Sequence, residues 1–131
     1  MIQGIGLDII ELERIRRLMA RQPRFPARIL TEREQTKMAS LSGTNRKIEY
    51  LAGRYAAKEA FSKALGCGIG GQLSFQDIVI INREDGRPEL SCEALDQETR
   101  ALVSITHTRD MAAAQVILEW LSGPVNDKSG V

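Results

Sequence analysis

The chain contains little cysteine, a single histidine and few aromatic residues, and neither sign of charge is in excess. Its two cysteines, Cys67 and Cys92, form no Cys-x-x-Cys pair, so neither a disulfide framework nor a zinc site is indicated and free thiols are expected. Eighteen Lys and Arg against seventeen Asp and Glu leave a formal net charge of +1, which argues against a nucleic-acid-binding protein. The one Trp, two Tyr and three Phe do not cluster on a strand for base stacking, which disfavours an RNA-binding protein.

Long apolar runs and a basic leader segment are also missing. No stretch is long enough to span a bilayer, and the chain begins directly with a strand-like pattern, so we expect a soluble cytoplasmic protein without a membrane partner. A length of 131 residues fits one domain, which we predict over residues 1–121, followed by a disordered polar tail over residues 122–131. A domain of this size buries only about two thirds of its unfolded surface, so contacts between subunits are of interest.

The first ten residues alternate in the manner of a β-strand. Gly4, Gly6 and Asp8 fall on one face, and the other face is apolar. A face without side chains lets a backbone or a ligand approach closely, which places the Asp8 carboxylate beside that approach. Asp8 could equally cap the following helix together with Glu11, and the pattern alone leaves both interpretations open.

A long helix is predicted from Ile48 to Gly66. One stripe of this helix carries apolar residues and also Glu59, so that the carboxylate points toward the protein, where a charge needs a partner or a metal ion. The alternative for Glu59 is a surface ion pair with Lys63, four residues on in the favourable order.

A second helix, Glu11 to Arg21, is rich in arginine. Arg14, Arg17 and Arg21 share one face of it, and Arg24 follows shortly after. Arginine without lysine favours bidentate recognition of carboxylates or phosphates, although a solvated face is the usual explanation of such a run.

The remaining elements follow from turn and strand signals. Gly66 to Gly71 is a flexible loop that lacks the ending of a P-loop and follows the wrong end of a helix for phosphate binding. His107, the only histidine, ends a strand, where a packed or capping role is more common than a catalytic one. The predicted elements are a helix from Thr31 to about Leu41, a hairpin of strands Asp77 to Asn82 and Pro88 to Cys92, a short helix or loop from Ala94 to Leu102, and strands Val103 to Thr108 and Met111 to Trp120.

Three motifs together resemble the holo-acyl-carrier-protein synthase family, the small single-domain branch of the 4'-phosphopantetheinyl transferases. They are Gly4 to Glu11 at the start, Tyr55 to Ala64 on the central helix, and Ser104 to His107 near the end. Tyr55 stands where the family usually has Trp or Phe, and Thr106 where Ser is common. The resemblance covers residues 1 to about 121 and implies an α+β fold, in which a small antiparallel sheet packs with a long central helix and shorter helices.

The resemblance also implies a reaction. Members of the family use Mg2+ to move the phosphopantetheine arm of coenzyme A onto a serine of apo acyl carrier protein, as in fatty acid biosynthesis, and release adenosine 3',5'-bisphosphate. Asp8 and Glu59 would hold Mg2+, which typically takes one or two carboxylates, and Lys63 would clamp phosphates as a third catalytic residue. Either Glu59 or a metal-bound water would accept the serine proton.

Further site residues follow from the same resemblance. Arg54, Lys63 and His107 would contact coenzyme A, and Gly86, Arg87 and Pro88 would lie near its nucleotide. Arg14, Arg17, Arg21 and Arg24 would dock the acidic carrier protein. The enzyme would be a homotrimer with its active sites at subunit interfaces. A non-catalytic nucleotide-binding or phosphate-binding module is the rival interpretation of the same residues.

Overall fold

Two antiparallel sheets and three short helices surround one long helix. The structure, a computed structural model, describes residues 1–121, so the predicted disordered tail lies outside the described residues. The elements are β1 (Ile2–Glu11), α1 (Leu12–Arg21), α2 (Phe25–Ile29), α3 (Glu32–Ala39), α4 (Thr44–Leu65), a 3-10 turn (Phe75–Asp77), β2 (Ile78–Asn82), β3 (Pro88–Cys92), β4 (Thr99–His107) and β5 (Met111–Trp120). The predicted α+β architecture with a long central helix is therefore confirmed.

The larger sheet has the strand order β1-β5-β4, and the smaller sheet is the β2-β3 hairpin. In the larger sheet β5 lies between two antiparallel partners, with Val116 opposite both Gly6 and Val103. In the hairpin Asn82 lies opposite Pro88, across the turn that the Asp85-Gly86 pair predicts. This order places the first strand beside the last one and leaves β1 and β4 as the edges of the sheet.

Helix α4 is buried on nearly all of its sides rather than along one stripe. Its buried positions include runs of consecutive residues, 51–54 and 56–58, which no single helical face accommodates. The helix begins at Thr44, four residues before the predicted start at Ile48, and it ends at Gly66, whose φ of +87° suits a glycine C-cap. The larger sheet packs on one side of this helix and the short helices contact it on others, while the hairpin is linked to it by the hydrogen bond from Arg54 to Asn82.

The glycines of β1 allow strand and helix backbones to touch. A Cβ added to Gly6 would lie 1.8 Å from the carbonyl oxygen of Ala60, and one added to Gly4 would lie 2.3 Å from that of Ala64. The predicted close approach of another backbone is therefore confirmed, and the backbone is that of α4. The alternative role of Asp8 as a helix cap is wrong, because Asp8 lies inside β1 and Glu11 occupies the N-cap of α1 without a side-chain bond.

The opposite face of β1 is apolar and exposed. Ile5, Leu7 and Ile9 are 60%, 62% and 61% exposed, and Leu102 on β4 is 44% exposed. These four residues are defined here as the outer sheet face. Contiguous apolar surface of this kind marks an interaction site more often than it marks free surface.

One local prediction is wrong. Residues 99–102 belong to β4 and not to a helix or loop, since they pair with β5 from Thr99 opposite Trp120 onward and are alternately half-buried and exposed. A short helix that was not predicted, α2, begins at Phe25 with Pro26 in its first turn, where a missing amide N-H costs nothing. Arg24 is consequently the N-cap of α2 and lies beyond the arginine face of α1.

None of the helices in residues 1–121 has both the length and the apolar content that crossing a bilayer requires.

Candidate active site

Asp8 and Lys63 form an ion pair between β1 and α4. The Lys63 ammonium donates hydrogen bonds of 3.0 Å to Asp8 Oδ1 and of 3.0 Å to the Leu7 carbonyl oxygen. The Asp8 side chain is 17% exposed and that of Lys63 is 53% exposed, so this pair stands at the edge of the interior. Lys63 therefore pairs with Asp8 on the neighbouring strand and not with Glu59, and the surface ion pair considered for Glu59 is wrong.

Glu59 lies close enough to this pair to interact with it electrostatically. Partial burial raises the pKa of Glu59, and the nearby Asp8 carboxylate raises it further, while Lys63 and a hydrogen bond with Tyr55 act in the opposite direction. Asp8, Glu59 and Lys63 are defined here as the carboxylate centre. The β1 glycines and α4 position all three, because the strand can lie against the helix only where it lacks side chains.

The carboxylate centre fits a magnesium ion. Two carboxylates that repel each other are a situation that a divalent cation relieves, and Mg2+ takes one or two carboxylates while keeping other positions for water and phosphate oxygens. Within residues 1–121 no group of three or more His, Cys, Asp or Glu side chains comes together as a metal site. Asp8 and Glu59 would supply two oxygen donors of the kind that Mg2+ takes, with its other positions left to water and phosphate.

A second polar site surrounds Arg54. Its guanidinium lies 4.3 Å from the centre of the Tyr50 ring and donates a hydrogen bond of 3.1 Å to Asn82 Oδ1. Arg54 is only 7% exposed, and its Nε is buried without a hydrogen-bond partner among residues 1–121. Together with Arg33 and Lys37 these residues line a cavity of about 210 Å³, defined here as the arginine pocket.

A neighbouring cleft extends the arginine pocket toward His107. This cleft of about 250 Å³ shares Arg54 and Asn82 with the pocket and adds Arg46 and His107 to its lining. His107 Nε2 lies 3.5 Å from a carboxylate oxygen of Glu49 on α4. An unpartnered buried guanidinium N-H and several cations around a cleft favour an anionic ligand.

The hairpin turn lies next to the arginine pocket. Gly86 has a φ of +91°, which the turn requires, and Arg87 makes a bidentate ion pair with Asp85, the shorter bond being 2.8 Å. That pair holds the pKa of Asp85 at about 2, chiefly through the Arg87 hydrogen bonds. Pro88 lies opposite Asn82, the residue that binds Arg54.

The carboxylate centre and the arginine pocket lie on different sides of α4. Arg54 and Glu59 are five residues apart, which turns their side chains about 140° from each other around the helix. The glycines of β1 meet α4 at Ala60 and Ala64, whereas Gly53 meets Ile105 of β4. A single chain therefore does not bring the predicted site residues into one cluster.

The arginines of α1 divide into two groups. Arg16 and Arg17 are partly engaged by Glu13, at 3.4 Å and 3.5 Å. Arg14 and Arg21 are exposed on the same helix. The predicted arginine face therefore consists of solvent-exposed charges on α1, and Arg14 among them acts electrostatically on Glu59 of the carboxylate centre.

Sequence reasoning assigned no site role to three polar residues that the structure brings into prominence, although for Lys58 of the central-helix motif it considered a structural role. Lys58 and Glu34 are 0% and 1% exposed and form a buried ion pair of 2.6 Å. Asn82 completes the arginine pocket. A usable signal existed for Asn82, a polar residue directly after four apolar residues of a strand, whereas Glu34 was hidden by its ordinary place in the capping box with Thr31.

The chain is similar to known proteins over most of its length. A holo-[acyl-carrier-protein] synthase of Bacillus velezensis is 60% identical to this chain over 122 residues, which cover 93% of this chain and 99% of that protein. Another from Bacillus subtilis is 57% identical with the same coverage. A crystal structure of a holo-(acyl-carrier-protein) synthase from Bacillus anthracis in complex with CoA (3',5'-ADP) has a TM-score of 0.82 at 47% identity, covering 92% of this chain and 98% of that chain. The synthase from Helicobacter pylori in complex with coenzyme A has a TM-score of 0.76 at 31% identity, covering 88% of this chain and 99% of that chain.

A family model described as the 4'-phosphopantetheinyl transferase superfamily matches residues 4–116. The chain is thus a transferase of this superfamily. Its similarity to the named relatives extends over almost the whole chain, and it belongs to the holo-[acyl-carrier-protein] synthase family. The predicted family and the predicted enzyme class are confirmed, and a non-catalytic phosphate-binding module is set aside.

Proposed function

We propose that this enzyme transfers 4'-phosphopantetheine from coenzyme A to a serine of apo acyl carrier protein in a Mg2+-dependent reaction. The observation that carries the proposal is the carboxylate centre, in which Asp8 and Glu59 stand close enough for each charge to affect the other, beside the Lys63 ammonium. The products are holo acyl carrier protein and adenosine 3',5'-bisphosphate. The pathway is fatty acid biosynthesis, and the cytoplasm is the expected location.

The residues of the carboxylate centre have separate roles in this proposal. Asp8 and Glu59 hold Mg2+, which when bound supplies neutralisation of the negative charge on the pyrophosphate oxygens. Lys63 contacts the phosphate oxygens from the open side of its ion pair. Either Glu59 or a water molecule held in the same centre would accept the serine proton. The serine oxygen bonds to the phosphorus of the pantetheine arm, and the bond from that phosphorus to adenosine 3',5'-bisphosphate breaks.

The arginine pocket is the proposed site for phosphate groups of coenzyme A. Arg54 offers a buried N-H without a partner, and His107 and Arg46 line the adjoining cleft. Gly86, Arg87 and Pro88 would lie along the nucleotide, because Pro88 stands opposite Asn82 on the paired strand.

The first helix is the proposed docking surface for the carrier protein. The proposed surface consists of Arg14, Arg17 and Arg21 on α1 and of Arg24 just after it. Opposite charges on two partners mainly govern how fast they meet and how they are oriented. We expect Arg14→Glu or Arg21→Glu to weaken carrier binding and its salt dependence more than coenzyme A binding, as measured by steady-state kinetics at two ionic strengths. An unchanged apparent affinity for the carrier would make these arginines an ordinary solvated face.

A homotrimer with shared sites is the proposed assembly. Two observations support it. The outer sheet face is apolar and exposed, as surfaces that bind another subunit often are. The carboxylate centre and the arginine pocket lie on different sides of α4 within one chain, so one complete site would draw on two chains. A neighbouring subunit that covers the outer sheet face could bring its arginine pocket to this chain's carboxylate centre.

Complementation tests the shared site. Glu59→Gln chains and His107→Ala chains, each inactive or weak alone, should recover activity when co-assembled, with about a quarter of randomly mixed interfaces pairing two intact halves. Assemblies of each variant alone are the matched controls. Sedimentation as a monomer at working concentration, or no recovery in verified mixed oligomers, would refute this arrangement.

Mass spectrometry tests the reaction itself. Apo acyl carrier protein incubated with coenzyme A, Mg2+ and the enzyme should gain the mass of one phosphopantetheine arm, and a chelator should abolish the gain. A carrier whose acceptor serine is replaced by alanine is the control. No mass gain would overturn the proposed reaction, and an undiminished gain with the chelator would overturn its dependence on Mg2+.

A further inference from the structure

A buried ion pair that the proposed mechanism does not use lies directly behind the arginine pocket. Lys58 donates hydrogen bonds to Glu34 Oε1 at 2.6 Å, to the Ile29 carbonyl at 2.8 Å and to the Phe75 carbonyl at 3.1 Å. An ammonium group has three donors, so every one of them is used. The pair therefore joins α4 to the end of α2, to α3 and to the 3-10 turn.

Glu34 extends these contacts to the strand that carries Asn82. Its Oε2 accepts a hydrogen bond of 2.7 Å from the Ile80 amide of β2, and its Oε1 also accepts one of 2.9 Å from the Thr31 amide. Ile80 and Asn82 are two residues apart and so share a face of the strand. The position of Asn82 is thus tied to Glu34 through a short, buried backbone contact.

Two bridges consequently connect α4 with β2. The inner bridge runs from Lys58 through Glu34 to the Ile80 amide, and the outer bridge runs from Arg54 to Asn82. Arg54 and Lys58 are four residues apart and lie one above the other on the helix. The inner bridge is entirely buried, and the outer bridge lies beside it at the edge of the arginine pocket.

We propose that Lys58 and Glu34 are positioning residues for the binding of coenzyme A phosphates: their buried pair holds β2 at the distance where Asn82 orients the Arg54 guanidinium. The inference rests on the proposed role of the arginine pocket. Breaking the inner bridge releases β2, turns Arg54 out of position and weakens binding of the anion without altering the carboxylate centre.

Kinetics of Glu34→Gln and Lys58→Met test this proposal. Gln keeps the size of Glu but cannot accept from the Ile80 amide while also accepting from Lys58 and Thr31 with its one oxygen. For each folded variant we expect KM for coenzyme A to rise about tenfold or more, with kcat and KM for the carrier changed less than about twofold. Binding of adenosine 3',5'-bisphosphate, followed by calorimetry, should weaken by the same factor.

Leu118→Ala is the matched control for lost stability. Leu118 is 3% exposed on β5, opposite Gly4 and Ala101, and so belongs to the core without touching either bridge. At equal destabilisation in urea, it should leave KM for coenzyme A unchanged. An equal rise in KM for Leu118→Ala, or kcat falling as much as KM rises in the Glu34 and Lys58 variants, would overturn the positioning role.

Arg54→Ala separates this proposal from the proposed function. If Arg54→Ala weakens adenosine 3',5'-bisphosphate binding while Glu34→Gln and Lys58→Met do not, the positioning role alone fails. If Arg54→Ala leaves that binding unchanged, the assignment of the arginine pocket fails and the positioning role fails with it.

Hydrogen exchange supplies a test in the unaltered enzyme, should both variants fail to fold. Binding and positioning are reciprocal, so saturation with adenosine 3',5'-bisphosphate should slow exchange of the Ile80 amide more than that of the Gly6 amide in β1. Equal slowing of the two amides, or none, would overturn the proposal.

Discussion

Two consecutive residues of α4 occupy opposite environments. Lys58 is wholly buried, and each of its hydrogen-bond donors has a protein partner. Glu59 is only partly buried, beside a second carboxylate that raises its pKa further. The Lys58 ammonium has no hydrogen bond left to offer a ligand, whereas the carboxylate centre around Glu59 can still take a proton or a cation.

The difference between Lys58 and Glu59 separates a structural charge from a functional one in this enzyme. A charge whose partners are all supplied by the protein fixes the positions of the elements that supply them. A charged group that is partly buried beside a like charge indicates a functional site, because a bound proton or cation can relieve the repulsion. The following predictions test this division.

The largest expected effect is on turnover, in the carboxylate centre. Asp8→Asn or Glu59→Gln should lower turnover by about a thousandfold, roughly 4 kcal/mol of transition-state stabilisation, because each removes one of two carboxylates for the cation. Circular dichroism and urea midpoints should stay close to those of the unaltered enzyme. Near-normal turnover of either folded variant at limiting Mg2+ would contradict the role of this centre.

The next effect is on stability, in the interior region. Lys58→Met leaves Glu34 buried without its counter-charge and should cost about 3–5 kcal/mol in the free energy of unfolding, measured by urea denaturation. Lys63→Met removes an ammonium that is 53% exposed and should cost less than about 1 kcal/mol. A smaller loss in the free energy of unfolding for Lys58→Met than for Lys63→Met would contradict the structural role assigned to Lys58.

The smallest effect concerns the hydroxyl next to Glu59. Tyr55→Phe removes the hydrogen bond that holds the pKa of Glu59 lower against burial and the Asp8 charge. The pKa of Glu59 should therefore rise further, so the acid limb of the pH profile of turnover should move to higher pH.

Tyr50→Phe is the control for that measurement. The Tyr50 ring lies under Arg54 and keeps its aromatic face when the hydroxyl is removed. The acid limb of the pH profile of Tyr50→Phe should therefore stay where it is in the unaltered enzyme. The same displacement in both variants would show that the Tyr55 hydroxyl has no particular connection with Glu59.

Much of the fold was predictable because local signals agreed with tertiary structure. The alternation in β1, the Asp85-Gly86 turn and the apolar run of β5 each indicate the element that forms. The start of β4 was missed because Thr99-Arg100-Ala101-Leu102 lacks the alternation of polar and apolar residues that indicates a strand, and its pairing with β5 supplies what its own composition does not. Strand partners distant in sequence are invisible to a local pattern.

The environment of α4 was the main feature beyond reach of the sequence. A stripe analysis assumes one buried face, but the small residues Ala52, Ala56 and Ala57 allow neighbours to approach from several sides. Glu59 was identified as a charge directed toward the protein, and it is partly buried. Lys58, outside the apolar stripe, was left without a defined role, although it is the more deeply buried of the two.

The carboxylate centre was easier to predict than the arginine pocket. Asp8 and Glu59 each stand in a distinctive local pattern, one on a strand with glycines and one on a long helix. The pocket depends on Asn82 of β2, whose hydrogen bond to Arg54 requires β2 to lie beside α4. That distance between two elements is not encoded by any spacing in the sequence, whereas the contact of Tyr50 with Arg54, four residues apart on α4, follows from helix geometry.

The contact of Gly4 and Gly6 with α4 has a consequence for sequence variation. Since an added methyl group at Gly6 would overlap the Ala60 carbonyl oxygen, this position should reject even alanine in a saturation mutagenesis screen. Gly6 carries no reactive group, yet its substitution would move Asp8 away from Lys63 by displacing the strand itself. A glycine can thus be as intolerant of replacement as a metal ligand, for reasons of shape alone.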